Sequence, residues 1–303
     1  MKIQITKAED GRILRSFLRE TLALSAHTVK ALKGKENGIL LNGVRVTVRA
    51  VLHEGDVLSL ATEDTQSNEN LVPRDLPLTL LYEDEEIAVC AKTGDMPTHP
   101  SHGHYDDTLA NALAYRYGDR PYVFRAITRL DRETSGIVLT AQNAVAAERL
   151  SAAMREGKIE KSYLAIVSGT PPERGVIDLP IRRCEGSVIL REVHPDGAPA
   201  RTRFRRLSMK GEVCLLAVFP QTGRTHQIRL HLSAAGFPIL GDCLYGRMCD
   251  SAARTMLHAV RLAFPHPADG HPLTFLAPLP DDFSLCLCAH GLSLSPSADL
   301  CPD

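Results

Sequence analysis

A charged loop between two apolar segments contains the residues that are best suited to do chemistry. Val123 and Phe124 precede this loop, and Ile137–Leu139 follow it. Its centre reads Arg129-Leu130-Asp131-Arg132-Glu133-Thr134-Ser135-Gly136. Loops held between buried strands are where a rigid scaffold presents reacting groups, so this loop is a candidate site of reaction. The alternative is a surface turn in which Asp131 caps backbone amides and the arginines are solvated.

A second candidate element is the basic segment from Thr222 to Gly236. Thr225 is a candidate N-cap and Gly236 a C-terminal stop, which predicts a helix between them. Arg224 comes just before the first turn, where a corner between strand and helix can direct its side chain at a buried anion. The alternative is a basic amphipathic helix that only packs on a sheet.

The composition is that of a soluble globular protein. The 303 residues are 44% hydrophobic and 23% charged, with a net charge of −1. No apolar run approaches the roughly 20 residues that cross a bilayer, which argues against a membrane partner. The first ten residues lack the apolar core of a signal peptide, so we expect a cytoplasmic protein.

Neither a metal nor a cofactor is expected from the residue spacing. The eight cysteines lack the paired spacing of a structural zinc site, and no glycine-rich nucleotide motif is present. His99, His102 and His104 share one loop and could bind a metal by number alone. Loop histidines are more often solvated, so metal binding is the minor alternative there.

The chain divides into four parts. Residues 1–60 form a compact basic module, with ten Lys or Arg against six Asp or Glu, and the other 243 residues carry 25 against 30. Residues 61–76 are a polar linker, and residues 291–303 are a flexible tail. The body, 77–290, alternates short strands and tight turns with a few helices, which predicts an α+β domain with a largely antiparallel sheet.

The N-terminal module reads as helix, helix and hairpin. Leu14, Phe17 and Leu18 recur at helical spacing, Ser25 can cap a second helix over residues 27–33, and Asn42-Gly43 predicts a tight hairpin turn. This order is similar to that of the small RNA-binding domain first named from the fourth ribosomal small-subunit protein. The resemblance implies that basic helix faces contact RNA phosphates. The alternative is that these faces are only solvated. The residues concerned are Arg15, Arg19, Lys30, Lys33 and Lys35.

Three segments of the body together resemble the signature motifs of the RluA-type pseudouridine synthases. They are residues 129–136, residues 161–164 and residues 223–229, and they occur in the family's order. The resemblance runs from about Leu78 to Pro280. It implies the pseudouridine synthase fold, no cofactor, and isomerisation of uridine to pseudouridine in ribosomal or transfer RNA, by a monomeric enzyme.

The resemblance also implies roles for individual residues. Asp131 would be the catalytic carboxylate, and Arg224 would pair with it and keep it ionised. Tyr163 would stack on the uracil and help to remove the proton from carbon 5. Arg129 would occupy the space left by the flipped nucleotide.

Two positions depart from the family pattern, and two other functions stay open. Thr128 stands where the family commonly has His, and Thr93 stands where it commonly has Pro. Both departures bear on which RNA the chain serves. A catalytically inactive RNA-binding protein on the same scaffold is the main alternative. A hydrolase that pairs Asp131 with Asp242 or Glu133 as acid and base is the other.

Overall fold

The computed structural model describes residues 1–246, 249, 251–295 and 300–302. The described chain folds into a small N-terminal module and a larger body built on one nine-stranded sheet. Six α-helices lie around the sheets within the described ranges. None of the described helices is long and apolar enough to span a membrane.

The module consists of two helical segments packed on a four-stranded antiparallel sheet of order β1-β4-β2-β3. Its elements are β1 (Lys2–Gln4), a 3-10 turn (Lys7–Glu9), α1 (Leu14–Ser16), a π-helical turn (Phe17–Thr21), α2 (Ala26–Gly34), β2 (Ile39–Leu41), β3 (Val44–Arg45) and β4 (Val57–Leu60). Ser25 caps α2 as predicted, since its side chain accepts a hydrogen bond from the Thr28 amide. The first helix is a single turn that widens into the π-turn, and Ile13 before it stays half exposed.

The hairpin between β2 and β3 turns at Asn42-Gly43 as the sequence predicts. Both residues have left-handed backbones, with φ of 52° and 80°, which suits the twist of a two-residue hairpin. The Asn42 side chain also donates to Asp56 and accepts from the Val57 amide. These bonds tie the turn to the start of β4.

The module is docked directly on the body. The Glu148 carboxylate, on the helix α4 (Ala144–Arg155), accepts hydrogen bonds from the Ser25 amide at 2.6 Å and the Thr28 hydroxyl at 2.8 Å. Val145 on the same helix is part of the module's apolar core. The start of α2 is therefore covered by α4.

The body sheet has the order β5-β6-β7-β14-β8-β13-β12-β9, and β15 adds a hairpin partner to β14. Every pairing is antiparallel except the parallel contact between β7 and β14. The strands are β5 (Thr79–Glu83), β6 (Ile87–Lys92), β7 (Ser135–Ala141), β8 (Glu160–Ser168), β9 (Arg174–Asp178), β12 (Arg201–Lys210), β13 (Val213–Pro220), β14 (Leu257–Pro265) and β15 (Pro272–Leu276). This confirms the predicted α+β class with a mixed, largely antiparallel sheet.

Helices and a small hairpin complete the body. They are α3 (Leu109–Arg116), α5 (Gln227–Ala234), α6 (Asp281–Ala289) and the hairpin of β10 (Ile181–Arg183) with β11 (Arg191–Val193). The largest apolar cluster lies where β8, β13 and β14 meet α5 and α6. Every residue of β7 and the six central residues of β13 are buried, so both faces of these strands are covered. This arrangement gives the central strands little freedom to move.

Residues 61–76, predicted as a linker, contain no helix or strand and are bound along the body. The Asp64 carboxylate accepts two hydrogen bonds from the Arg125 guanidinium at 2.6 and 2.8 Å. The Asn111 amide donates to the Val72 carbonyl, and Leu71 packs against an apolar cluster of the body. The segment is therefore a strap with its own anchoring contacts.

The predicted flexible tail, 291–303, is partly packed. Leu292 is buried, and the Leu300 carbonyl accepts a hydrogen bond of 2.6 Å from the Ser162 hydroxyl on β8. Residues 296–299 and 303 lie outside the described residues. For the described part of the tail, the expectation of poor order does not fit these contacts.

Candidate active site

A cleft of about 870 Å³ runs across the body and brings together the segments that the sequence singled out. Asp131 lies at its centre, Lys161 and Tyr163 come from β8, and residues 220–229 form one wall. Residues 97–104 and the tip of the β10–β11 hairpin complete the lining. Sequence segments that are nearly 100 residues apart therefore meet in one place.

The loop that carries Asp131 is clamped on both sides of it. The buried Thr128 hydroxyl accepts a hydrogen bond from the Leu139 amide, and Leu130 exchanges two hydrogen bonds with the Thr98 hydroxyl. The Lys92 ammonium donates to the Arg132 carbonyl at 3.1 Å. Three alternating positions of the loop, Thr128, Leu130 and Arg132, are thus held by the body, which places the Asp131 carboxylate with little conformational freedom.

Gly136 allows the loop to enter β7 at close range to β14. Its φ is 114°, and a Cβ there would run into the Ala259 backbone. Only glycine meets both conditions. The parallel contact of β7 with β14 beneath the loop depends on this residue.

Arg229, on the first turn of α5, is the arginine that contacts Asp131. Its Nη1 lies 3.3 Å from Asp131 Oδ2, while Nε and Nη2 donate to the two oxygens of Asp242 at 2.7 and 2.8 Å. Arg229 is 5% exposed and Asp242 1% exposed. Burial alone would lower the pKa of Arg229, but its hydrogen bonds to Asp242 and the charges of both aspartates raise the pKa above its usual range. The guanidinium is therefore a fixed cation beside Asp131.

The predicted pairing of Arg224 with Asp131 is therefore wrong in this structure. Arg224 is exposed at the cleft wall, and its Nε donates to the Pro199 carbonyl at 3.1 Å. The reason is the position of the helix start. Arg224 lies in the loop before α5, whereas Arg229 lies in the buried first turn of the helix.

Tyr163 stands beside Asp131 on the cleft floor. Burial, together with the charge of Asp131, raises the pKa of the Tyr163 hydroxyl above its usual range. The phenol is therefore protonated near neutral pH. In that state it can stack or donate a hydrogen bond, and it would accept a proton only after giving up its own.

Arg129 lies at the cleft rim. Its Nη2 donates to the Thr225 hydroxyl at 3.1 Å, and the residue is exposed. The contact joins the Asp131 loop to the opposite wall. This position suits a side chain that follows a nucleotide into or out of the cleft, and that role stays a prediction.

Asp242 and His226 are site residues whose roles sequence reasoning missed. Asp242 was considered only as the raised-pKa partner of a hydrolase. Burial alone would raise the pKa of Asp242, but hydrogen bonds and charge from Arg229 hold it below its usual range, so it does not supply that acid. His226 Nε2 lies 4.0 Å from Asp131 Oδ2. His226 lies within the motif segment 223–229 and Asp242 lies shortly after it, and these positions were the only indication that the sequence offered.

The histidine loop does not assemble a metal site. His104 Nδ1 pairs with Asp107 at 2.6 Å, and the His99 ring packs edge-on against Phe124. Within the described ranges, three side chains that could bind a metal lie close together in another part of the chain. They are His266, Asp269 and His271, with ligand atoms within 4.8 Å of one another. These residues are on the β14–β15 hairpin and none of them lines the cleft.

The basic residues of the module differ in their availability. Arg15, Lys30 and Lys33 are exposed. Arg19 is exposed too, but its Nη1 donates to the Leu24 carbonyl at 2.6 Å. The Lys35 ammonium donates to the carbonyls of Ala61 and Glu63, which fixes the start of the strap.

Comparison with known proteins gives one consistent result. A family model described as RNA pseudouridylate synthase matches residues 86–234. An uncharacterized RNA pseudouridine synthase of Bacillus subtilis is 38% identical over 267 residues, which is 87% of this chain and 94% of the relative. Ribosomal large subunit pseudouridine synthase D of Vibrio cholerae is 36% identical over 264 residues, covering 82% of this chain and 81% of the relative.

The solved structures agree. Human RNA pseudouridylate synthase domain containing 1 superposes with a TM-score of 0.58 at 30% identity, over 69% of this chain and 87% of that one. Human RNA pseudouridylate synthase domain containing 4 gives the same TM-score of 0.58 at 25% identity, over 71% and 94%. The chain belongs to the RNA pseudouridine synthase family and is an isomerase that acts on RNA.

Proposed function

We propose that this enzyme isomerises a uridine in large-subunit ribosomal RNA, with Asp131 as the carboxylate that acts at the target ribose. Several relatives carry the name ribosomal large subunit pseudouridine synthase D, which supports ribosomal over transfer RNA. The observation that carries the proposal is the contact of Asp131 with Arg229 at the bottom of a cationic cleft. We propose further that the enzyme acts in the cytoplasm as a monomer.

The charge of the cleft supports an anionic polymer as ligand. Among the described residues that line the cleft, Asp131 is the one carboxylate, against six cationic side chains. These are Arg129, Arg132, Lys161, Arg191, Arg224 and Arg229. Such an excess concentrates phosphate groups and offers charge-assisted hydrogen bonds to them.

The reaction asks little beyond positioning and one ionised carboxylate. The bond between uracil N1 and ribose C1′ breaks, the uracil turns, and C5 forms the new bond to C1′. The proton of C5 leaves and N1 ends with a proton, so atoms and electrons balance without a redox partner. Asp131, held in place by its contact with Arg229, attacks the sugar or removes a proton from it.

Tyr163 and Arg129 complete the assignment. Tyr163 offers its ring face to the uracil from the cleft floor, and its protonated hydroxyl can hold a uracil oxygen. Arg129 fills the stack that the flipped nucleotide leaves, at the cost of its contact with Thr225. The module adds phosphate contacts through Arg15, Lys30 and Lys33.

The test is pseudouridine mapping on total RNA from cells that lack this gene, complemented with wild type, Asp131→Asn or Asp196→Asn. Asp196 is a matched control because its side chain is 84% exposed in a turn outside the cleft. We expect one or a few large-subunit sites to disappear and to return with wild type and Asp196→Asn only. Loss of sites from transfer RNA instead would refute large-subunit ribosomal RNA as the substrate. Restoration by Asp131→Asn would refute the role of Asp131.

A further inference from the structure

His226 has a strained backbone at the wall of the cleft. Its φ and ψ are 56° and 19°, in the left-handed region that side-chain-bearing residues rarely adopt. It is the N-cap of α5, yet its side chain does not cap the helix. Gln227 caps the turn instead, because its Oε1 accepts from the Arg224 amide. Strain of this kind persists where the surrounding structure holds a side chain for a purpose.

The contacts of His226 define which ring nitrogen carries the proton. The Tyr245 hydroxyl accepts a hydrogen bond of 2.9 Å from the Arg191 amide, and it lies 3.0 Å from His226 Nδ1. With the Arg191 amide donating to the Tyr245 oxygen, we assign the hydroxyl proton to the bond with Nδ1, and this assignment leaves the ring hydrogen on Nε2. The Nε2–H group is thereby a donor.

This donor faces the catalytic carboxylate across a gap. His226 Nε2 lies 4.0 Å from Asp131 Oδ2, which is too far for a direct hydrogen bond. An oxygen atom placed between them could lie within hydrogen-bond distance of both. The His226 side chain is only 11% exposed, so water competes weakly for that position.

The charges around His226 keep the ring neutral. Burial lowers its pKa most, the charges of Asp131 and Asp242 raise it, and those of Arg229 and Arg191 lower it, with a net lowering. A neutral ring has one donor and one acceptor nitrogen. Tyr245 occupies the acceptor, and the donor is left for the cleft.

The chemistry at the target ribose indicates what occupies the gap. If Asp131 attacks C1′, it approaches the ribose from the face opposite the base. The 2′-hydroxyl lies on that face, on the carbon next to C1′. We propose that His226 binds the 2′-hydroxyl of the target nucleotide, donating from Nε2–H to its oxygen.

The 2′-hydroxyl is both donor and acceptor, so it bridges the two side chains. It accepts from His226 and donates to Asp131 Oδ2, which leaves Oδ1 for the reaction. In this role His226 makes the site specific for ribose over deoxyribose. The inference rests on the proposed action of Asp131 at the sugar.

The experiment compares two substrates with three enzymes. The substrates are one short RNA with a mapped target uridine and the same RNA with 2′-deoxyuridine there. The enzymes are wild type, His226→Asn and His226→Gln, and single-turnover rate constants are measured. Asn tolerates the left-handed backbone but its amide stops near the position of Nδ1. Gln extends its amide toward the position of Nε2.

We expect wild type to prefer the ribose substrate by about 10- to 100-fold, the range of a hydrogen bond to a partly buried group. His226→Asn should lose about that factor on the ribose substrate and show almost no preference between the two. His226→Gln should recover part of the preference. Thermal denaturation of each variant checks that the fold is kept.

The outcomes separate this inference from the proposed function. An equal preference in wild type and His226→Asn would refute the 2′-hydroxyl contact while leaving the enzyme's action intact. No conversion of the ribose substrate by wild type would refute the proposed function and, with it, this inference. If His226→Asn unfolds, the preference shown by His226→Gln decides: a reduced or lost preference for the ribose substrate supports the contact, and an unchanged preference opposes it.

Discussion

The guanidinium of Arg229 joins two aspartates of different character. Its Nε and Nη2 donate hydrogen bonds to both oxygens of the buried Asp242, and its Nη1 lies 3.3 Å from Asp131 Oδ2 in the cleft. Asp242 is itself held by the amides of Leu244 and Tyr245. Asp131 thus contacts a cation whose orientation is set by a second carboxylate, so this geometry is in place before a substrate binds.

The two arginines of this segment should differ sharply when substituted. Arg229→Lys keeps the charge but cannot hold Asp242 on two oxygens and reach Asp131 together. We expect the single-turnover rate to fall about 10- to 100-fold, the range of one charge-assisted hydrogen bond. Arg224→Lys, as the matched control, should change that rate less than about threefold. Equal losses in both variants would contradict the assignment of Arg229.

The Asp242–Arg229 pair should contribute to stability at neutral pH but not in acid. The folded-state pKa of Asp242 is lowered, so its contribution is present above the unfolded pKa of about 3.9 and is lost as the pH falls through the folded value. We expect Asp242→Asn to lower the free energy of unfolding by about 3–5 kcal/mol at pH 7, because it leaves the buried Arg229 charge poorly compensated.

Thermal denaturation of wild type and Asp242→Asn between pH 3 and pH 7 measures this contribution. The difference in melting temperature should be constant down to about pH 5 and should shrink below about pH 4. A difference that stays constant to pH 3 would show that ionisation of Asp242 is not its source.

Gly136 should tolerate substitution less well than another glycine with positive φ. Gly136→Ala adds a Cβ that meets the Ala259 backbone, whereas Gly157→Ala has the same kind of backbone and open space around it. Both substitutions should lower the free energy of unfolding by about 1–2 kcal/mol, because alanine is strained at positive φ. Gly136→Ala should lose about 1–3 kcal/mol more from the clash. Urea denaturation of the two variants measures the difference, and equal losses would show that β14 can move away.

Loss of Lys30 and Lys33 should weaken RNA binding only by removing contacts with phosphate groups. We expect Lys30→Ala/Lys33→Ala to lower the affinity for a mapped substrate RNA and to reduce the dependence of log K on log salt by about 0.7 per lost contact. Lys158→Ala is the control, since Lys158 is exposed and pairs with Glu156. Binding titrations at several salt concentrations measure the slope. An unchanged slope in the double variant would remove these residues from the RNA interface.

The local elements were within reach of sequence reasoning. Ser25 and Asn143 cap their helices as their types predict, and Asn42-Gly43 forms the expected hairpin turn. Helix capping and turn formation depend on neighbours within four residues, so the sequence contains the needed information. The mixed, largely antiparallel sheet followed from strand lengths and short connections in the same way.

The pairings across the cleft were decided by tertiary structure. Asp131 and Arg229 are 98 positions apart. The packed structure decides between the two arginines, because Arg229 is buried in the first turn of α5 whereas Arg224 stays exposed in the loop before it. His226, the N-cap of α5, has a left-handed backbone that no local pattern reveals.

What the sequence by itself determined is the set of reacting groups, their order along the chain and the family that they indicate. What only the tertiary structure decided is which groups touch, as in the docking of Glu148 on Ser25 and of Arg229 on Asp131. The physical reason is range. Residue type and spacing encode local backbone preference and burial, whereas a hydrogen bond between distant segments depends on side-chain directions that are fixed only when the sheet and helices pack.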